Sequence, residues 1–241
     1  MSNKPSVVWS SIGRKLITGI TGLGLFLFII LHLVGNLTLF LGGPTFNEYA
    51  HFLTTLGHGY ALYLAEAGLA AFFVFHAVAG ISVWARKAHA RETPYWHKGD
   101  AGGRSEKTFS SSTMLYSGII LLIFLVIHLV QFRFGTVYYQ VTDPQAEKVR
   151  DLYRLVREVF ANPIWVWFYV AVMVLLGLHL RHGFWSMFQS LGANNRTLRP
   201  VLKGLGLLLA VVLALGFLVL PLYVHYLGPV PVSPVTTGGL Q

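Results

Sequence analysis

The sequence predicts an all-α membrane protein in which five transmembrane helices form a single membrane domain over residues 1–241. The chain is 54% hydrophobic and only 11% charged, its apolar residues fall into five long segments, and the loops between these segments are short. Each segment can cross about 30 Å of hydrocarbon at 1.5 Å per residue and holds almost no charge. The predicted spans are about 15–42, 60–85, 112–134, 163–186 and 201–226.

The distribution of lysine and arginine predicts how the helices are oriented. These residues precede the first span and fill the second and fourth loops, as expected of segments that stay in the cytoplasm. The first loop and the C-terminal tail hold neither, as expected of segments that face outward. We therefore expect the N-terminus in the cytoplasm and the C-terminus outside. The net charge of +9 then reflects topology and contact with lipid or a cytoplasmic partner, and we expect no nucleic-acid binding.

The third loop departs from this pattern because it also carries basic residues. They alternate at helical spacing with acidic residues such as Glu147 and Glu158, after a Thr142-Asp143-Pro144 start. Such mixed charge is typical of a helix that lies on the surface. We therefore expect an amphipathic surface helix over about 143–158.

The residue types that are absent exclude several kinds of chemistry. The chain has no cysteine, which excludes disulfides, a covalently attached c-type haem and a cysteine-ligated iron–sulfur cluster. It has no phosphate-binding glycine loop, no carboxylate pair within a span and no serine or cysteine nucleophile signature. A hydrolase or a nucleotide-driven pump is therefore disfavoured, and any metal must be held by histidine.

Four histidines stand out, each inside a different one of the first four spans: His32, His76, His128 and His179. Ionisable residues are costly in a bilayer, so four of them predict a buried functional site. Counted along the helices from the cytoplasmic ends, His32 and His128 lie about 25 Å up, and the other two about 15 Å up. Both upper histidines are followed by Leu-Val, and both lower ones by a glycine four residues later. The predicted pairs are therefore His32 with His128 and His76 with His179.

Two histidine pairs at two depths suit two stacked b haems, each with its iron held by imidazoles from opposing helices. Glycines in the first two spans would open a slot for a flat macrocycle, or alternatively allow close helix packing. These are Gly19, Gly22, Gly24, Gly68 and Gly80.

Several other polar residues are candidates for contact with such a cofactor. His182 is three residues from His179 and shares its face, but it lies one turn nearer the cytoplasm, so we expect His179 to be the ligand. His182 is then expected to contact a haem propionate, with Arg14 and Arg181 as further candidates. Aromatic residues near the outer ends of the second and fourth spans are expected to form an interfacial belt: Tyr60, Tyr63, Trp165, Trp167 and Tyr169.

Local motifs along nearly the whole chain, from about residue 11 to 223, resemble one family. That family is the single-subunit, five-helix dihaem cytochrome b membrane anchor of succinate:quinone oxidoreductases and fumarate reductases. The motifs are Ser11-Ile12-Gly13-Arg14-Lys15, Thr21-Gly22 with His32-Leu33 and Gly35-Asn36, Phe46-Asn47-x-Tyr49-Ala50, and His179-Leu180-x-x-Gly183-x-Trp185.

The resemblance implies a role within a larger complex. His32 and His128 would ligate the distal haem, and His76 and His179 the proximal haem. The chain would anchor an FAD-binding flavoprotein subunit and an iron–sulfur subunit on the cytoplasmic face of a bacterial inner membrane. It would carry electrons between the iron–sulfur subunit and a membrane quinone, for which menaquinone is our expectation. The succinate site would lie outside this chain, and the resemblance leaves oligomerisation of the whole complex open.

The sequence departs from the family at two points. Some members carry a glutamate, implicated in proton transfer, two residues before the last ligand, where this chain has Gly177. A Gln-Ser pair that helps to hold a propionate in some relatives is replaced by Thr18-Gly19. The resemblance therefore does not extend that proton route to this chain.

Glu66 is the only acidic residue within a predicted span. It is a candidate for proton exchange with a quinone, or alternatively an interfacial acid that reaches water. Two other functions remain open at this stage. One is a standalone bis-histidine cytochrome b without a dehydrogenase, and the other is a haem-free transporter with histidine-based proton coupling.

Overall fold

The computed structural model describes residues 10–89, 109–139, 149–193 and 195–228. Short 3-10 turns follow α1 and α2, at Thr38–Leu41 and Leu56–Gly59, and a π-helical turn, Leu129–Arg133, follows α4. The α-helices are α1 (Ser11–Leu37), α2 (Gly43–Thr55), α3 (Tyr60–His89), α4 (Phe109–His128), α5 (Leu152–Ala161), α6 (Pro163–Ser190) and α7 (Leu198–Tyr226).

Five helices in this part of the chain are long and apolar enough to cross a membrane: α1, α3, α4, α6 and α7. The prediction of five spans is confirmed at this level, and the spans lie within a few residues of these helices. Polar caps define some of the ends. Ser10 accepts a hydrogen bond from the Gly13 amide at the start of α1, and Asn162 accepts one from Ile164 at the start of α6.

The long helices pack around α6. It packs most extensively on α7 and also contacts α1 and α4, while α3 packs on α1. A core of large apolar side chains joins α1, α6 and α7, and it is formed by Phe26, Leu33, Leu180, Phe184, Met187, Ala210, Leu213 and Leu220. Because every contact within a bilayer competes with lipid tails, this close packing is what holds the bundle together.

The two short helices, α2 and α5, pack on each other at one end of the bundle, which we call the upper end. Gly42 has a φ of 101° and allows the sharp turn from α1 into α2, where Pro44 occupies the first helical turn. Asn47 is 1% exposed and joins these helices: it donates to Asp151 (2.8 Å) and accepts from the Tyr153 amide (2.9 Å). The first loop is therefore largely helical, which the sequence analysis had not predicted.

Of the expected surface helix over 143–158, the described residues show helix from Leu152 onward. Residues 149–151 are not helical, because Arg150 forms an antiparallel bridge with Tyr139 and Asp151 caps α5 by accepting from the Arg154 amide. The helix runs over Leu152–Ala161, and residues 140–148 lie outside the described part. Tertiary contacts of Asp151 therefore decide the start of this helix.

Candidate functional site

Two pairs of histidine rings lie at two levels of the bundle. In the upper layer, His32 of α1 faces His128 of α4 with ring centroids 5.9 Å apart and ring planes at 89°. In the lower layer, His76 of α3 faces His179 of α6 at 6.5 Å and 63°. The structure thus brings together the same histidines that the depth argument pairs, whereas their role as haem ligands stays a prediction.

The two layers are separated along the helix axes. His76 contacts Thr21, which lies 11 residues before His32 on α1. At 1.5 Å per residue this spacing corresponds to about 16 Å. Ser117, which contacts His179, lies the same 11 residues before the upper histidine of α4.

The histidines of each pair come from helices that do not pack extensively on each other. Within the described residues, extensive contacts join α1 to α3 and α4 to α6, but neither α1 and α4 nor α3 and α6 is among the extensively packed pairs. The imidazoles therefore meet in the space between two helix pairs, α1 with α3 and α4 with α6, which are joined through the contact of α1 with α6.

Hydroxyl groups contact the Nδ1 atoms of both lower histidines. Thr21 Oγ1 lies 3.4 Å from Nδ1 of His76, and Ser117 Oγ lies 3.0 Å from Nδ1 of His179. In each case the hydroxyl comes from the helix next to the one that carries the histidine. These contacts orient both rings, and the ring of His76 also donates a hydrogen bond to the backbone carbonyl of Thr18.

A glycine follows each of these hydroxyl residues and makes room for the imidazole. A Cβ added at Gly22 would lie 3.3 Å from Cε1 of His76, and one added at Gly118 would lie 3.5 Å from Cε1 of His179. The two hydroxyl–glycine pairs therefore form matching seats for the lower rings.

Aromatic rings surround the upper layer. Phe28 stacks on His32 with centroids 5.2 Å apart, and Phe217 lies 5.8 Å from the same ring. Three aromatic rings lie within about 6 Å of the His128 centroid: Phe124, Phe132 and Tyr169. The upper imidazoles are thus held in an apolar environment that disfavours a charged side chain.

Tyr169 is the main error of the sequence analysis at this site, because it is buried instead of forming part of the interfacial belt. It lies on the face of α6 that also carries the buried Val166 and Met173. Its hydroxyl donates to Oε1 of Gln131 (2.7 Å) and lies 3.3 Å from Nδ1 of His128. By contrast, Tyr60, Tyr63 and Trp167 are exposed, as a belt requires.

The π-helical turn after His128 brings two polar side chains to the upper layer. Gln131 reaches Tyr169, and Arg133 forms a two-point ion pair with Glu66 on α3, with N–O distances of 2.6 and 3.2 Å. Both side chains of the ion pair are more than one-third exposed. Glu66, the sequence candidate for proton exchange, therefore has a cationic partner that the sequence did not reveal.

Arg150 holds the end of this turn from outside the spans. Its guanidinium donates to the Phe132 carbonyl (3.0 Å). Burial, together with the nearby charge of Arg133, lowers the pKa of Arg150 from its ordinary value. The upper layer is therefore covered by a polar network at the upper end.

The candidate propionate contacts lie toward the lower end. Arg14 is buried on α1, His182 is half-buried on α6, and Arg181 is exposed. The ring of His76 contacts that of His179. His182 lies about one helical turn closer to the lower end than His179 does. Contact of these three residues with a propionate stays a prediction. Most of the basic second loop lies outside the described residues.

The glycines expected to form a slot divide into two kinds. Gly19 packs against the C-terminal end of α6 and Gly24 against Phe72, so both allow close helix packing. Gly68 and Gly80 have no atom within 4 Å of an added Cβ. Gly68 lines an apolar groove of about 340 Å³ between α1 and α3.

Gly177 lies against α7 and has no room for a side chain. A Cβ built there would lie 2.9 Å from the Cβ of Ala214 and 3.5 Å from the Ala210 carbonyl oxygen. A glutamate at this position would require α6 and α7 to move apart.

Sequence reasoning did not assign to this site four polar residues that contact the histidines or their partners: Thr21, Ser117, Gln131 and Tyr169. One signal was available for the first two. A hydroxyl residue followed by glycine stands 11 residues before a histidine in both α1 and α4. No comparable signal marked the other two, because their contacts depend on the π-helical turn.

Fold and site together define an all-helical protein with five helices suited to crossing a membrane and two layers of paired histidines between them. Comparison with protein-family models, with curated proteins and with solved structures found no match.

Proposed function

We propose that this chain is the dihaem cytochrome b membrane anchor of a succinate dehydrogenase or fumarate reductase complex. One observation carries the proposal: two pairs of histidine rings, with centroids 5.9 and 6.5 Å apart, face each other at two levels between helices that are not packed together. A haem supplies four equatorial nitrogens to its iron and takes two axial ligands from the protein. Paired imidazoles suit this requirement.

The distances between the rings fit axial ligation. In each pair the two imidazoles face each other closely enough that both would hold one haem iron. An angle between the ring planes is compatible with this arrangement, because each plane needs only to contain the metal–nitrogen bond. His32 and His128 would hold the upper haem, and His76 and His179 the lower one. When bound, each haem supplies one-electron transfer.

The complex as a whole is supported by the sequence motifs and the charge distribution. Basic residues concentrate at the lower end, where Arg86, Arg199 and Lys203 belong to the described chain. We infer that this end faces the bacterial cytoplasm and receives the iron–sulfur and flavoprotein subunits. The lower haem would then exchange electrons with the iron–sulfur subunit and the upper haem with a membrane quinone, menaquinone in our proposal.

An absorption spectrum of the purified chain, with haem counted per polypeptide, tests the haem proposal. We expect reduced b-type bands and two haems per chain. One haem or none would refute the arrangement, and complete absence of haem would favour the proton-coupled transporter.

Copurification tests the partners separately. We expect the tagged chain, purified from its native membrane, to bring down one flavin-containing and one iron–sulfur polypeptide together with succinate:quinone reductase activity. Two haems without either subunit would instead identify a standalone bis-histidine cytochrome b.

A further inference from the structure

We propose that Thr21 and Ser117 are positioning residues that fix the tautomer of the two lower histidines and thereby adjust the electronic character of the lower iron site. This inference rests on the proposed function, because it concerns ligands of a haem. Neither residue would touch the cofactor. Each would act through the imidazole whose Nδ1 atom it contacts.

Counting protons favours one direction for both hydrogen bonds. A hydroxyl group has one proton to donate. Thr21 donates its proton to the backbone carbonyl of Ile17 (2.6 Å), and Ser117 donates to that of Met114 (3.1 Å). We therefore assign each hydroxyl oxygen as the acceptor, and Nδ1 of His76 and of His179 as the donor, in the contact between them. The lone pair is left on Nε2, the nitrogen that would bind iron.

The same arrangement occurs twice on separate helices. In both α1 and α4 the hydroxyl residue is followed by a glycine that seats the ring, and both stand 11 residues before an upper histidine. The hydroxyl also comes each time from the neighbouring helix, α1 for His76 and α4 for His179. Repetition on two elements with different surroundings argues for a role at the lower layer rather than for incidental packing.

The upper layer lacks this symmetry. Tyr169 donates to Gln131 and so accepts from His128, but the described residues offer no hydrogen bond to the ring nitrogens of His32. The lower iron would thus have two hydrogen-bonded axial ligands and the upper iron one. An acceptor at Nδ1 makes the imidazole a stronger electron donor and favours the oxidised metal. Removing it should raise the midpoint potential.

The test compares Thr21→Val and Ser117→Ala with matched variants in the intact, haem-loaded complex. Thr38→Val and Ser82→Ala are the controls, because those hydroxyls donate to backbone carbonyls away from the lower histidines, those of Gly35 (2.6 Å) and Ala79 (2.8 Å). The haem that disappears in His76→Leu identifies the lower site. We expect its potential to rise and its low-spin electron paramagnetic resonance signal to shift in both test variants.

Further readouts separate positioning from general destabilisation. The double variant should show roughly the sum of the two shifts in potential, and Thr21→Ser and Ser117→Thr should restore the parent values. The lower haem should also dissociate about 10- to 100-fold more readily, as is typical when a partner of a metal ligand is lost. The upper haem should keep its potential in every variant.

The outcomes distinguish this inference from the proposed function. A parent protein without haem overturns both. A parent with two haems whose lower potential and resonance signal are the same in the test and control variants overturns only the positioning role. If Ser117→Ala fails to assemble where Ser82→Ala assembles, the hydroxyl is a folding determinant and the positioning role is also overturned.

Discussion

The imidazoles of His76 and His179 lie with centroids 6.5 Å apart, although α3 and α6, which carry them, are not among the helix pairs that pack extensively. α3 packs on α1 instead, and α6 packs on α4 among others. Each ring is also held by a hydroxyl from its packing neighbour. Each ring of the lower layer is therefore positioned by its own helix and by that helix's packing neighbour.

The first prediction follows from the separation of the two layers. Replacing His32 or His128 with leucine should remove the upper haem and leave the lower haem largely intact, and His76→Leu should do the reverse. The reason is that each iron loses one axial ligand while the helix packing between the layers is unchanged. Haem content per chain and the two low-spin resonance signals give the measurement. Equal loss of both haems from variants that remain folded would contradict the two-layer assignment.

His182→Leu serves as the control on the same helix. It should retain both haems, because the ring that meets His76 is that of His179. If His182→Leu lost the lower haem while His179→Leu kept it, the ligand would have to be reassigned.

The second prediction concerns the contact between α2 and α5. Asn47→Ala should lower the stability of the protein by about 1–3 kcal/mol, the usual cost of leaving buried hydrogen-bond partners unsatisfied. The partners are the Asp151 carboxylate and the Tyr153 amide. Thermal unfolding in detergent provides the measurement. Glu48→Ala, exposed on the same helix, should unfold like the parent, and equal unfolding of both variants would show that the contact is not stabilising.

Composition and helical geometry account for the part of the fold that was predictable. The five apolar segments had to be helices because a backbone in lipid must satisfy its own hydrogen bonds. The fixed rise per residue then places His32 level with His128, since both helices run from the same end. The ring pairs in the structure follow from this regularity.

The remainder depends on contacts that no local pattern encodes. Asp151 begins α5 because it is held by Asn47, about a hundred residues earlier in the chain. Tyr169 is buried because of the rotation of α6 about its axis, and Gln131 reaches it only through a π-helical turn. Aromatic residues near a span end are usually interfacial, and here tertiary packing overrides that tendency.

The third prediction separates two roles of Glu66. If its carboxylate exchanges protons with a quinone, Glu66→Gln should lower quinone turnover by about 100-fold. This is the lower end of the usual loss when a general acid or base is removed. Haem content should not change. Arg133→Gln removes the ion pair but keeps the carboxylate, so it should retain most of the turnover. Its cost in stability should be only about 0.2–1 kcal/mol, because both side chains are partly exposed.

Steady-state reduction of a soluble quinone analogue by the intact complex provides the measurement. Parent-like turnover in Glu66→Gln would leave the residue with the ion pair as its only role. Equal losses in the two variants would assign the effect to the ion pair and not to proton exchange.

The last prediction concerns the tight contact between α6 and α7 at Gly177. Gly177→Ala should destabilise the protein by about 1–3 kcal/mol, because the new methyl group would lie 2.9 Å from the Cβ of Ala214 and force the helices apart. Gly183→Ala is the matched control on the same helix. No atom lies within 4 Å of its added Cβ, so that variant should be at least as stable as the parent.

Gly177→Glu should be more damaging still and should restore no proton route, since a carboxylate has no space beside α7. Thermal unfolding and haem retention of the three variants decide the matter. A stable Gly177→Glu protein that keeps both haems would show that α7 can move, and that the close approach at Gly177 does not constrain the bundle.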